Sequence, residues 1–142
     1  MMRLARSHAY RRLALAATAA AMLAVTAPPT ALAGAKEDAE AILKATGVRG
    51  GLVVHLVTGP DGAADLTAAL AASGAYLAHG LYADAEAVER ARAAWQKAGC
   101  GGQVSAARLR GGRLPYADGT VRLLVADALG PVAREEAMRA LC

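Results

Sequence analysis

The residues whose chemistry matters most in this 142-residue chain are two histidines, a glycine-bearing loop, three arginines and two cysteines. His55 and His79 each fall near the end of a short apolar run. If those runs are neighbouring strands, the pair suits a shared metal or an acid–base couple. No third ligand lies near them in sequence, so an ordinary strand-end histidine is the simpler reading. Thr58-Gly59-Pro60-Asp61-Gly62 follows the first apolar run and is a loop by composition. Arg108, Arg110 and Arg113 form a small basic cluster. It reads either as a solvated loop or as a contact for an anionic ligand. Cys100 and Cys142 are free to bridge in an oxidising compartment, but Cys142 is terminal, and two separate thiols is the favoured reading. The chain supports no Ser-His-Asp or Cys-His triad order, no zinc spacing, and no carboxylate pair placed for acid–base work.

These residues must be positioned by alternating helices and strands. Residues 36–46 predict a short helix with Ala39, Ile42 and Leu43 on one stripe and Gly47 at its end. Residues 51–57 (GLVVHLV) are β-branched and apolar throughout, which suits a strand buried on both faces. Asp65 is a candidate cap for a helix over 66–73, closed by Gly74. Residues 75–81 (AYLAHGL) predict a second strand. Asp84 is a good N-cap for a long helix over 85–98, in which Val88, Ala91 and Trp95 face a sheet and Glu86 pairs with Arg90. Strands at 103–109 and 121–126 flank a loop at 110–119, and Pro131 suits the first turn of a last helix reaching about 141. This order is the signature of parallel βαβ units. In such folds ligands bind beyond the carboxyl ends of the strands, where the first loop meets them.

The N-terminal segment has a different character. Arg3, Arg6, Arg11 and Arg12 precede an apolar run over 13–25, then Pro28-Pro29 and the small-x-small triplet Ala31-Leu32-Ala33. That is the three-part layout of an export signal over residues 1–33, with Gly34 as the new N-terminus. The thirteen-residue run is shorter than the roughly 20 residues a spanning helix needs, so no stable membrane span is expected. Arg11-Arg12 leaves the Sec and twin-arginine routes both open. Four of the 16 basic side chains lie in this segment and none of the 12 acidic ones, so residues 34–142 carry 12 of each and no net charge. The apparent basicity belongs to the segment that is removed, and no basic face for a nucleic-acid partner follows. Residues 34–142 suffice for one small domain, with a periplasmic or extracellular address.

From residue 50 to 142 the chain resembles the N-terminal half of class I S-adenosylmethionine-dependent methyltransferase domains. It is most similar to the version found in exported bacterial proteins that also carry a β-propeller. GLVVHL at 51–56 matches the first strand, and GLYAD at 80–84 matches the end of the second. LPYADG at 114–119 followed by VRLLV at 121–125 matches the family's "LPF-DNSFDLVV" region and is the most specific passage. RALC at 139–142 resembles the segment before the family's Pro-Gly-Gly turn. The resemblance implies an α/β, partial Rossmann-like parallel sheet of about four strands with flanking helices. It also implies S-adenosylmethionine as cofactor, with Gly59, Asp61, Gly62 and Asp84 lining its site.

The departures from the family pattern are as informative as the matches. In the family's G-x-G-x-G motif the first glycine position is Val57 here, the second is Gly59, and the third is Asp61 with Gly62 one late. Pro60 removes a backbone N–H from the cradle. Tyr82 stands where a carboxylate would accept from the ribose hydroxyls, with Asp84 two residues late. Arg110 stands where an acidic residue often meets the adenine, and Arg122 replaces the aspartate of the fourth strand. The chain ends where the family adds further strands, so a truncated domain with an uncovered sheet edge is expected, an edge that a partner would cover. The resulting expectation is an exported methyltransferase-like domain with impaired or lost cofactor binding. A small-molecule or protein substrate is implied but not identified. The alternative is a non-catalytic α/β interaction or scaffold module.

Overall fold

The computed structural model describes residues 13–16, 34–59, 64–72 and 74–142. The elements, in chain order, are β1 (Leu13–Ala16), α1 (Ala35–Thr46), β2 (Gly51–Val57), α2 (Ala64–Ala71), β3 (Tyr76–Tyr82), α3 (Ala85–Ala98), β4 (Val104–Arg108), β5 (Leu123–Ala126) and α4 (Arg134–Ala140). They form one sheet in the order β1-β5-β2-β3-β4. The strands β5, β2, β3 and β4 are all mutually parallel, flanked by helices. This is an α/β fold in a partial Rossmann-like arrangement.

The strand order has a functional consequence. From β2 the chain winds outward through β3 and β4, then returns to place β5 on the opposite side of β2. The carboxyl end of β2 is therefore the topological switch point, where ligands of open α/β sheets gather. The edge beside β5, expected to be open, is covered in the full chain by a strand from within the expected export signal. Strand β1, from within the apolar run at 13–25, pairs antiparallel with β5 in the register Leu13↔Ala126 to Ala16↔Leu123.

Alternation along β2 sorts the core into two layers. Val53 and Val57 face α1, α2 and α3, where Leu66, Leu70, Ala91 and Trp95 are buried. Val54 and Leu56 face the other side, packed with Leu109, Leu114, Val132 and Ala137. A central parallel strand must be apolar on both faces for this reason. With no phenylalanine in the chain, Trp95, Tyr76 and Tyr82 supply the bulk of the first layer. Buried aromatic N–H and O–H groups need partners. Trp95 Nε1 donates to the Ala64 carbonyl at 3.0 Å and the Tyr76 hydroxyl to that of Val48 at 2.7 Å. These two bonds tie α3 to the start of α2, and β3 to the loop before β2.

The helix and strand signals behave as their chemistry requires, with three main differences. Asp84 caps α3, accepting from the Glu86 N–H at 3.1 Å, and Gly47 and Gly99 end α1 and α3 in the left-handed conformation. Glu86 and Arg90 lie 3.7 Å apart on the surface of α3. Asp65, expected as a cap, instead lies inside the first turn of α2, where a carboxylate also suits the helix dipole. Pro131 lies before α4 rather than in its first turn, because the Val132 N–H bonds to the Leu129 carbonyl and makes a separate turn. Val121 forms a lone parallel bridge with Leu141, so β5 begins two residues later than expected. Cys100 and Cys142 are both free thiols. Among the described residues, no helix is long and apolar enough to cross a membrane.

Candidate functional site

The carboxyl ends of β2 and β3 and the start of α3 enclose an open crevice of about 260 Å³, lined by Val57, Thr58, Gly59, Ala83, Asp84 and Ala87. The Ala83 N–H bonds to the Val57 carbonyl at 3.2 Å, which carries the strand ladder one step into this mouth. Of the four residues expected to line a cofactor, the structure brings Gly59 and Asp84 together here. Asp61 and Gly62 lie outside the described residues.

Each wall has a physical reason for its position. Among the described residues a Cβ built on Gly59 meets no atom within 4 Å, so there the missing side chain relieves no clash. On the β5 side the crevice is closed. Gly130 has φ +56, and a Cβ there would lie 2.8 Å from Thr58 Cγ2. The turn after β5 thus presses against Thr58, and glycine is needed for both its conformation and its closeness. The accessible space lies on the β3 side of the switch point. Asp84 is the carboxylate in the wall. Its Oδ1 holds the α3 cap, and among the described residues it makes no further bond. Thr58, Ala83 and Ala87 were not singled out in the sequence. Their positions, next to a strand end or one turn into a capped helix, are the available signal.

Tyr82 does not reach this crevice. Its side chain is turned into the layer beneath α2 and is only 1% exposed. The ring folds back over Gly80, where a Cβ would lie 2.7 Å from Tyr82 Cε2. Thr67 and His55 are buried on the same face, with His55 Nδ1 2.8 Å from Thr67 Oγ1. The Tyr82 hydroxyl is buried without a partner in good hydrogen-bond geometry. Burial raises its pKa, the neighbouring Thr67 hydroxyl lowers it in part, and the Asp65 charge raises it. A tyrosine in this orientation cannot replace a ribose-binding carboxylate.

The two histidines are separated by the sheet itself. His55 pairs in register with Gly80, so His79, one residue earlier in β3, points to the opposite face. There His79 Nδ1 meets the Tyr116 hydroxyl at 2.7 Å, with the rings edge to face. Burial lowers the His79 pKa and raises that of Tyr116. The histidines form neither a metal pair nor an acid–base couple. Among the described residues no cluster of His, Cys, Asp and Glu could hold a metal ion.

The remaining departures fall in two places. Arg122 lies at the amino end of β5, its stem close to Gly51 and its guanidinium 3.4 Å from Cys142 Sγ. That is the end of the sheet away from the crevice, so the charge at position 122 does not act on a ligand there. Arg110, by contrast, lies at the ligand end. With Arg92, Arg108 and Arg113 it lines a second open groove of about 570 Å³ on the other side of the α3 N-terminus.

No family model, curated protein or solved structure matches this chain.

Proposed function

We propose that this chain is an exported, S-adenosylmethionine-dependent methyltransferase-like domain whose cofactor binding is impaired. The observation that carries the reading is the meeting of Gly59 and Asp84 in one crevice beside the switch point of a parallel sheet. The motifs GLVVHL, GLYAD and LPYADG–VRLLV supply the family resemblance. Three features argue for impairment. The crevice, at about 260 Å³, falls below the roughly 300–1,000 Å³ of ordinary ligand sites. Val57 fills the place of the first glycine, and Tyr82 withdraws the polar group that the strand end would offer. Asp84 remains as the carboxylate in the wall that could accept from a ligand hydroxyl, with Gly59 giving the backbone a close approach.

Calorimetric titration of the purified full chain with S-adenosylmethionine tests this. The expected dissociation constant is weaker than about 100 μM, which is roughly 5.5 kcal/mol of binding. Asp84→Asn keeps the helix cap, since Asn and Asp cap about equally well. It should weaken binding severalfold further. Affinity in the low micromolar range would contradict impairment.

The second reading, a non-catalytic interaction module, is favoured by one observation: Tyr82 is locked in the core and leaves no strand-end carboxylate at that position. Absence of any binding heat at several millimolar ligand selects it.

A further inference from the structure

We propose that the arginine groove beside α3 binds a small organic di- or triphosphate. This site is separate from the crevice of the β2 and β3 ends and does not rest on the methyltransferase-like reading.

The groove collects four of the basic side chains of a domain that has no net charge over residues 34–142. Glu89 is the one carboxylate in its lining. Such segregation of like charge is unfavourable unless something answers it. The four guanidiniums are brought together by distinct local causes. Arg108 and Arg110 flank the buried Leu109, and the twofold period of an extended chain sends both to the side opposite it. Gly111, at φ +67, and Gly112, whose Cβ would lie 2.5 Å from the Pro131 carbonyl oxygen, then turn the chain tightly. That turn returns Arg113 to the same mouth. Arg92 comes from α3 and is already fixed, donating to the Ala106 carbonyl at 2.8 Å and to Glu89 at 3.0 Å.

The side chains of Arg108, Arg110 and Arg113 make no hydrogen bond or ion pair among the described residues. The Arg113 charge is felt by Glu136, but the hydrogen bonds of that carboxylate go elsewhere. It accepts from Arg139 at 2.7 and 2.9 Å and from the Leu114 N–H at 2.8 Å. Guanidinium forks match phosphate oxygens in pairs, and three without a hydrogen-bonded carboxylate suit a ligand with several negative charges better than a monoanion. The rest of the lining is apolar: Val88, Ala107, Pro115 and Ala85 give a floor for an organic body. A lining that combines cations with small apolar side chains suits a phosphate ester better than a bare polyanion.

The test is calorimetric titration of the full chain with ATP, inorganic pyrophosphate and adenosine at low salt. ATP should bind, pyrophosphate more weakly, and adenosine not at all. The Arg110→Gln/Arg113→Gln double variant should lose at least about tenfold in ATP affinity, as expected when charge-assisted bonds are removed. Arg110→Lys, which keeps the charge and loses the fork, should lose less. Arg49→Gln, an exposed arginine outside the groove, should bind ATP as the parent does. No ATP binding at 1 mM, or an equal loss in Arg49→Gln and the double variant, overturns the proposal. Adenosine binding as tight as ATP overturns it too, and pyrophosphate binding as tight as ATP overturns the organic-body part.

Discussion

At Gly80 the absence of a side chain decides where Tyr82 can go. The phenol ring occupies the space above Gly80, in the buried layer that α2 covers, and that choice removes Tyr82 from the ligand end. Gly80→Ala would place a methyl 2.7 Å from the ring of a side chain that is 1% exposed. Overpacking of this kind costs typically 1–3 kcal/mol. The expected outcome is a thermal midpoint lower by several degrees, measured by circular dichroism, with Gly59→Ala as the unaffected comparison because its Cβ meets nothing within 4 Å among the described residues. Position 82 shows how far residue types alone reach. Twofold alternation places Tyr82 on the face of Ala78 and Tyr76, and that much is readable from β3. The backward fold of its ring depends on Gly80, and the resulting burial depends on α2 lying above it, so the motif position alone wrongly directs the side chain to the ligand end of the strand. Arg122 is similar. Its charge is plain in the sequence, but only the register of β5 reveals that it lies at the amino end of the sheet.

At the scale of elements, the loop after β4 owes its order to a helix more than twenty residues away. Arg139 of α4 donates to the carbonyls of Tyr116 and Leu114 at 3.0 and 3.4 Å and also to Asp118 and Glu136. Glu136 accepts from the Leu114 N–H at 2.8 Å. The LPYADG passage is therefore held by a guanidinium and a carboxylate, which gives its residues a structural task whatever else they do. The Arg139 hydrogen bonds and the Leu114 N–H lower the Glu136 pKa from 4.5 to about 2. A carboxyl group with a depressed folded pKa contributes stability above its unfolded pKa and loses it as pH falls through the folded one. The fold should therefore weaken as pH drops from about 4.5 towards 2. Glu136→Gln should flatten that part of the pH profile, measured by urea unfolding at successive pH values. An unchanged acid slope in the variant would show that other carboxylates carry it. This long-range network was not legible in the sequence, where residues 110–119 read only as a loop with glycines and a proline. The helix α3 was legible nearly to the residue, because its cap, its stripe and its terminating glycine are all local. The start of α4 was not, since Pro131 serves a turn of its own.

At the scale of the molecule, the alternation of elements was enough to read the parallel α/β sheet, and the buried character of β2 followed from its unbroken apolar run. The covering of the β5 edge by residues 13–16 was not readable, because that segment also has the composition of an export signal. Two open sites result from the same topology, one on each side of the α3 N-terminus. They differ in charge. The crevice has Asp84 in its wall, whereas the neighbouring groove has four arginines. A cationic sulfonium cofactor and a polyphosphate would thus be drawn to different sides of one helix. The central question is whether S-adenosylmethionine enters the crevice beside the switch point, and how weakly. The direct measurement is a titration of the isotopically labelled full chain with S-adenosylmethionine, followed by two-dimensional amide NMR. The account predicts the largest shifts at the amides of Thr58, Gly59, Ala83 and Asp84, still unsaturated at about 0.1 mM ligand, as a dissociation constant weaker than that requires. Saturation in the low micromolar range, shifts centred on any other surface, or no shifts at several millimolar ligand would contradict it.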